Sequence, residues 1–538
     1  MQRIIAIWAG LLALVIVTTS VFGAAHFFSP IPWEDQWDGY VGFFRSLDNG
    51  VWLAWWTPHM EHRIVFSRVL FWLDAHVFGG WNAFTLVSNF LLMAALCGTL
   101  IVEARKNGLS KPDLVAAGLL IVGFMFSWIQ YANFLSGFQS QFIAVYLFAF
   151  LGFAQYSWER LGLAVMWCIL SALCMANGLV ALVVVAIQGV LLRRPVKQIA
   201  VMLAAAVVTG WVYLHGQVMP VLPIPEAMQH ARFIKAKFFL AFLGNPAYYF
   251  TGSNGVAMAL GALLFAFAAV LVVWLYMKRE ITPYRSFLIA AYGFVIASGL
   301  GATRGRWMIG FDGATASRYT TPTLLAIVIL LLLALDVFTG RRKIALGIAA
   351  ALLTLLVPLQ QYITGNGVGM PHFDHDDMYG WKLAVLGIKT DMDHPGYDKL
   401  IYPPVARANL IEQATYAAQK NLGPYKTGWL HDAGIVKYDP SLRDDARCVG
   451  FLDGTGTDEI GRTARGWAIA TQFAQPETLV VLVDEGNQTV GYGVTGMSRP
   501  DVKDKPDAGW IGFAKQGNGP MQAYAYVGGK YCHLRTGN

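Results

Sequence analysis

Apolar residues run for spanning length in about eleven places: near 4–25, 81–102, 114–132, 142–157, 162–176, 178–192, 198–218, 256–277, 284–302, 321–338 and 343–361. A hydrocarbon core about 30 Å thick needs roughly 20 such residues, so these runs predict about eleven transmembrane helices, with the short pieces of 142–192 the least regular. The first run follows a basic start, "MQR", as a signal peptide would, but its length suits a retained helix. After about residue 362 the pattern changes. "YPPVARANLIEQATYAAQKNL" (402–422) begins with prolines and continues as an amphipathic helix. From about 446 onward, short alternating segments such as "RGWAIAT", "TLVVLVDEG" and "QAYAYVGG" are punctuated by glycine, which predicts an all-β sandwich or jelly roll. The expected domains are therefore a membrane domain over 1–365, a linker and helical segment over 366–445, and a β-domain over 446–538. No solenoid-type repeat or low-complexity tract interrupts them.

Composition agrees. Of 538 residues, 56% are hydrophobic and 14% charged, whereas soluble chains carry about a quarter charged residues; mean hydropathy is +0.48. The chain reads as a polytopic membrane protein. Its net charge of +7 sits mostly in short loops, which fits membrane orientation better than nucleic-acid binding. "EARKNGLSKPD" (103–113), "LLRRPVKQ" (191–198), "MKREITPYR" (277–285) and "TGRRK" (339–343) all fall on one side of the count, together with Arg3. That side is the cytoplasm by the positive-inside rule. Loops 26–80, 133–141, 219–255 and 303–320, and everything after about 362, then face the periplasm.

Cys97, Cys168 and Cys174 lie in expected spans and read as small apolar packers. Cys448 and Cys532 open and close the β-domain on the oxidising side, and a disulfide between them is expected.

Candidate chemistry gathers in the external loops. "PIPWEDQWDGY" (30–40) sets Glu34, Asp35 and Asp38 among Trp33 and Trp37. Such carboxylates can take a proton from a hydroxyl, bind a metal or simply be solvated, and the tryptophans suit interfacial anchoring or a sugar-stacking wall. The same loop carries His59, Glu61, His62 and Arg63. "HMEH" lacks the HExxH spacing of a zinc helix, so a phosphate contact from Arg63 or His62 competes with a salt-bridged helix start. Arg304, Arg306, Arg318 and Tyr319 in loop 303–320 suit an anionic lipid-linked phosphate, with pairing to Asp312 as the plainer reading. Arg232, Lys235 and Lys237 lie at helical spacing in "HARFIKAKFF", an expected interfacial helix. "PHFDHDDMYGW" (371–381) holds His372, Asp374, His375, Asp376 and Asp377, without a spacing that singles out a metal site from a solvated linker. There is no Walker A motif, GxSxG elbow or CxxC pair, and the spans hold few ionisable residues, which weakens a transporter reading.

A multi-span domain, an acidic pair in the first external loop and a C-terminal external domain together resemble the GT-C glycosyltransferases. "WEDQWD" and "EHRIVFSRVLFWLD" are similar to stretches in bacterial members that decorate O-antigen, the outer part of lipopolysaccharide, or related polysaccharides of the cell envelope. The resemblance covers roughly 1–365 and implies a polyprenyl-phosphate-linked sugar donor, a glycan or lipid-linked glycan acceptor, and residence in the bacterial inner membrane. It implies an inverting transfer of a single hexose or pentose, with a first-loop carboxylate as general base. The family's acid falls on Glu34 or Asp35, with Asp35 favoured and Asp38 a third candidate, because this chain has E-D-x-x-D where relatives show DD, DE or ED. Arg304, Arg306, Arg318, Tyr319, Lys235, Lys237 and Arg63 would hold the donor phosphate, and Trp33, Trp37, His59, Glu61 and His62 would line the substrate site. No cofactor is required on this reading, and a divalent metal, though not excluded, is not favoured. A flippase of lipid-linked sugars, or a membrane-anchored glycan-binding or assembly protein, are the alternatives.

Overall fold

The structure, a computed structural model, describes residues 2–217, 233–366, 370, 373–457, 461–471, 477–503, 505–517 and 519–536. The chain divides into two compact units. One comprises Met1–Phe28, Trp55–Leu70 and Phe84–Gly369; the other comprises Ser29–Ala54, Phe71–Ala83 and Met370–Asn538. Residues 26–80 are thus shared out between them.

The first unit is helical. Among the described residues, nine helices are long and apolar enough to cross a membrane: Gln2–His26, Ala83–Lys106, Lys111–Leu135, Gly137–Ser157, Val196–Leu214, Asn254–Lys278, Pro283–Ile309, Ser317–Val337 and Thr339–Thr364. These suit a multi-pass membrane protein. The apolar runs near 162–176 and 178–192 form the shorter helices Leu161–Ala172 and Leu179–Leu191, of 12 and 13 residues. At 1.5 Å per residue neither reaches across the hydrocarbon core.

Polar contacts sort the loops onto two ends of this unit. At one end Gln2 donates to Asp113 (2.6 Å), Asn107 and Arg285 both bond Asp336 (2.6 Å each), and Arg342 pairs with Asp113 (3.5 Å). Arg194 pairs with Glu159 at this end, and the Trp158 indole donates to Glu103. The basic loops that the sequence places on one side are joined there. Ser110 and Thr282 cap the helices that leave this end, each accepting from a backbone N–H three residues on.

The second unit centres on a closed seven-stranded barrel, not the expected sandwich. Its strands are β1 (Cys448–Thr457), β2 (Arg462–Ala470), β3 (Leu479–Val483), β4 (Thr489–Met497), β5 (Gly509–Ala514), β6 (Gln522–Val527) and β7 (Lys530–Thr536). They run in the order β1-β2-β5-β4-β3-β6-β7, and β1 and β7 close the ring in parallel through Phe451–Arg535 and Leu452–Thr536. Alternation fills the interior with small residues, including Ala464, Ala468, Ala523 and Ala525, around Trp510. Glycine inside a strand lets the walls curl tightly: a Cβ on Gly466 would sit 1.9 Å from the Phe451 carbonyl oxygen. In β3, "LVVLV", every residue is buried. Val480 and Leu482 face the interior, while Leu479, Val481 and Val483 pack outward against Tyr379, Leu383 and Leu386 of helix His375–Thr390. Both faces are covered, so the strand shows no polar alternation. The expected disulfide joins Cys448 to Cys532, and Cys97, Cys168 and Cys174 are buried and free.

Candidate functional site

The acidic segment lies in the second unit. Glu34 sits in the left-handed region at φ 46°, a conformation that costs a non-glycine residue energy, and its N–H donates to the Ile401 carbonyl (2.8 Å). Asp35 begins a helical stretch that turns π-helical over Trp37–Val41 before regular helix resumes at Gly42–Asp48. An acid in a helix's first turn is favoured by the exposed N–H groups there, and π-turns recur at functional sites.

The three carboxylates have different surroundings. Both oxygens of Asp38 accept hydrogen bonds, one from the Tyr402 hydroxyl and one from the Asn409 amide, and Asn409 also donates to the Tyr402 oxygen (3.1 Å). Burial, the bond to Asp38 and the charges of Asp38 and Asp35 hold the Tyr402 hydroxyl well above its ordinary pKa. Tyr402 therefore stays a donor. Glu34 and Asp35 are half-buried.

The tryptophans differ as well. Trp33 stacks on Trp381 (6.0 Å between ring centres, 16° between planes) and meets Phe373 edge-on. Trp37, expected as an anchor or sugar-stacking wall, has no exposed surface and is a core residue. Helix Gly42–Asp48 is tied to helix Arg407–Gln419 by the pair Arg45–Glu412, and Asp48 pairs with Lys420 (2.7 Å). Tyr402 and Asn409 were not singled out in the sequence. Only the polar residues of "YPPVARANL" hint at them.

A second polar group lies in the first unit, at the end away from the basic loops. Nη2 of Arg306 lies 2.6 Å from Oε1 of Glu61, and Nε2 of His62 lies 3.6 Å from the same oxygen. The Ala176 N–H donates to His62 Nδ1 (3.3 Å), which leaves the ring proton on Nε2, towards Glu61. Burial would raise the Glu61 carboxyl, but its polar neighbours, Arg306 with its charge and hydrogen bond among them, outweigh it and hold it below the usual range. His59 packs edge-on to Phe138 (4.9 Å).

Arg63, expected on a phosphate, is only 3% exposed. Its guanidinium donates to the carbonyls of Trp56, Tyr213 (2.5 Å) and His215 (2.8 Å), and it lies over the Trp56 ring. It is a clamp on the backbone. Arg68 does the same for Trp55 and Thr57 (3.0 and 2.6 Å), and burial with the nearby Arg63 charge pushes it down to about 10.

Of the other expected phosphate ligands, Arg304, Lys235 and Lys237 are exposed. Lys235 lies over Trp307 (5.0 Å) and Arg318 over Tyr319 (5.6 Å). Among the described residues, no ion pair joins Asp312 to Arg304, Arg306 or Arg318. Lys235 and Lys237 lie on helix Ile234–Leu243, while Arg232 is outside the described residues. In the histidine-rich stretch, Asp374 caps helix His375–Thr390 by accepting from the Asp377 N–H (2.8 Å), and His375 pairs with Asp507 (3.1 Å). The stretch is a helix start rather than a solvated linker; His372 is outside the described residues. Among the described residues, no group of three or more His, Cys, Asp or Glu side chains is arranged to hold a metal ion.

No family model matches the chain, and no curated protein matches it.

Proposed function

We propose that the protein is a GT-C-type glycosyltransferase of the bacterial inner membrane. On this reading it transfers a single sugar from a polyprenyl-phosphate donor to a hydroxyl of a cell-envelope glycan on the periplasmic side. The observation that carries the reading is the backbone of the acidic segment. Glu34 is held in a strained left-handed conformation and Asp35 is followed by a π-turn. Strain and irregular helix of this kind persist where a side chain's placement matters. The gathering of the basic loops at one end of the helical unit supports a cytoplasmic N-terminus.

Asp35 is the general base. It takes the proton of the acceptor hydroxyl as that oxygen bonds to the anomeric carbon. The bond from that carbon to the phosphate oxygen breaks in the same step, its electron pair leaving with the polyprenyl phosphate, and the anomeric centre inverts. Arg304, Lys235, Lys237 and Arg318, with Tyr319, stabilise the departing phosphate. Arg306 and Arg63 drop out of that role, since one is paired with Glu61 and the other clamps carbonyls. Asp38 positions the segment through Tyr402 and Asn409.

The test is mass spectrometry of surface glycans from wild type, a deletion strain, and the deletion complemented with Asp35→Asn. Loss of the same single sugar from both mutants is expected, with the Asp35→Asn protein present at normal level. A glycan restored by Asp35→Asn would remove the base role from Asp35, leaving either Glu34 or Asp38 as the base or a protein that moves sugars rather than joining them.

A further inference from the structure

The barrel has a second feature that the transfer reaction does not use. Between its outer wall and helix Pro395–Ile401 lies an open groove of about 320 Å³. That is near the lower end for small-molecule sites, which run from roughly 300 to 1,000 Å³.

The strand register explains the groove. On β2, Thr463 and Arg465 point to the same face, opposite Phe513 and Ile511 of β5. On the other side of β2 they are opposite Gly456 and Gly454 of β1, which carry no side chain. On β3 and β4 the outer wall is covered by helix packing around Leu383 and Leu386. Here two glycines leave it bare. A Cβ added at Gly454 would meet nothing within 4 Å.

The lining is chemically mixed. His394, Tyr397 and Phe513 form an aromatic group with ring centres 5.2 to 6.1 Å apart. The Thr463 hydroxyl supplies a donor and acceptor beside them. Arg465 is exposed and forms no ion pair among the described residues. Aromatic faces pack against the C–H faces of sugar rings, and a guanidinium binds a carboxylate through two parallel hydrogen bonds.

We propose that this groove binds one or two sugar units bearing a carboxylate, with the rings against the sugar face, Thr463 on a hydroxyl and Arg465 on the acid group. The site stands apart from the proposed transfer chemistry and does not depend on it.

The test uses the full-length protein in lipid nanodiscs, with calorimetric titration of cellobiouronic acid and of its neutral counterpart, cellobiose. The acidic disaccharide is expected to bind more tightly. Arg465→Gln should weaken it by about tenfold or more while leaving cellobiose unchanged. Gly454→Leu should abolish both, because its side chain occupies the groove without meeting the strand. Thr463→Val, which removes only a hydroxyl, should weaken both and serves if Gly454→Leu folds poorly. Equal binding of the two sugars, binding that survives Gly454→Leu in a folded protein, or no binding by the wild type would each overturn the proposal.

Discussion

Oε1 of Glu61 and Nη2 of Arg306, from segments far apart in sequence, lie 2.6 Å apart with side chains only 23% and 18% exposed. His62 completes the group from the adjacent position. Breaking one side of such a pair strands a charge in a partly dry setting. Glu61→Gln or Arg306→Gln should each cost about 1–3 kcal/mol, less than for a fully buried pair. The double variant should cost less than the sum of the two, measured by thermal unfolding in detergent. Strict additivity would mean that the pair contributes nothing.

Asp38 and Asp35 should separate kinetically. On the proposed glycosyltransferase reading, Asp35→Asn is expected to slow transfer by about 10²–10⁴, the range of general-base catalysis. Tyr402→Phe removes one of the two bonds to Asp38 and should slow transfer by about tenfold or less. If Tyr402→Phe matches Asp35→Asn, the base is Asp38.

Asp398 gives the second unit a pH response. It is 2% exposed, and burial lifts its carboxyl to about 6 although Arg407 acts against the rise. The folded state thus holds a proton that the unfolded chain releases near pH 4. Stability is full below that point and declines as pH rises from about 4 to about 6. Asp398→Asn should flatten this part of a melting-temperature profile; an unchanged slope would assign it to another group.

Reduction of Cys448–Cys532 should loosen the barrel. The bridge closes a separation of 84 residues, and the chain-entropy model sets its contribution at roughly 4–5 kcal/mol. Two cysteines should become alkylated after reduction under native conditions, while Cys97, Cys168 and Cys174 stay protected by burial. Alkylation of these three at the same rate would mean that the helical unit opens as readily as the barrel.

Most of the long spans were legible because an apolar run of about 18 residues or more has few alternatives. The runs near 162–192 were not, since apolar composition alone does not fix where a helix ends. Barrel closure escaped the pattern too. Alternation is the same in a sandwich, and what closes the ring is a short parallel pairing of Phe451 and Leu452 with Arg535 and Thr536. At the candidate site, acid content pointed to residues 34–38 but not to the roles within them. Asp38's partners lie at Tyr402 and Asn409, in a stretch read as linker and helix. Arg63 was misplaced for a related reason: its partners are carbonyls, which every residue carries, so nothing in the side-chain sequence announces them.

The second unit is assembled from three stretches of chain, 29–54, 71–83 and 370–538. The first two emerge early in synthesis, and the last is made only after the rest of the helical unit. At about 5–20 residues per second, that interval is on the order of half a minute. Through it Asp38 is without Tyr402, Arg45 without Glu412, and the Glu34 N–H without the Ile401 carbonyl. The contacts that hold the acidic segment are complete only when the last third of the chain arrives, so a nascent or truncated chain presents the carboxylates without the partners that distinguish them.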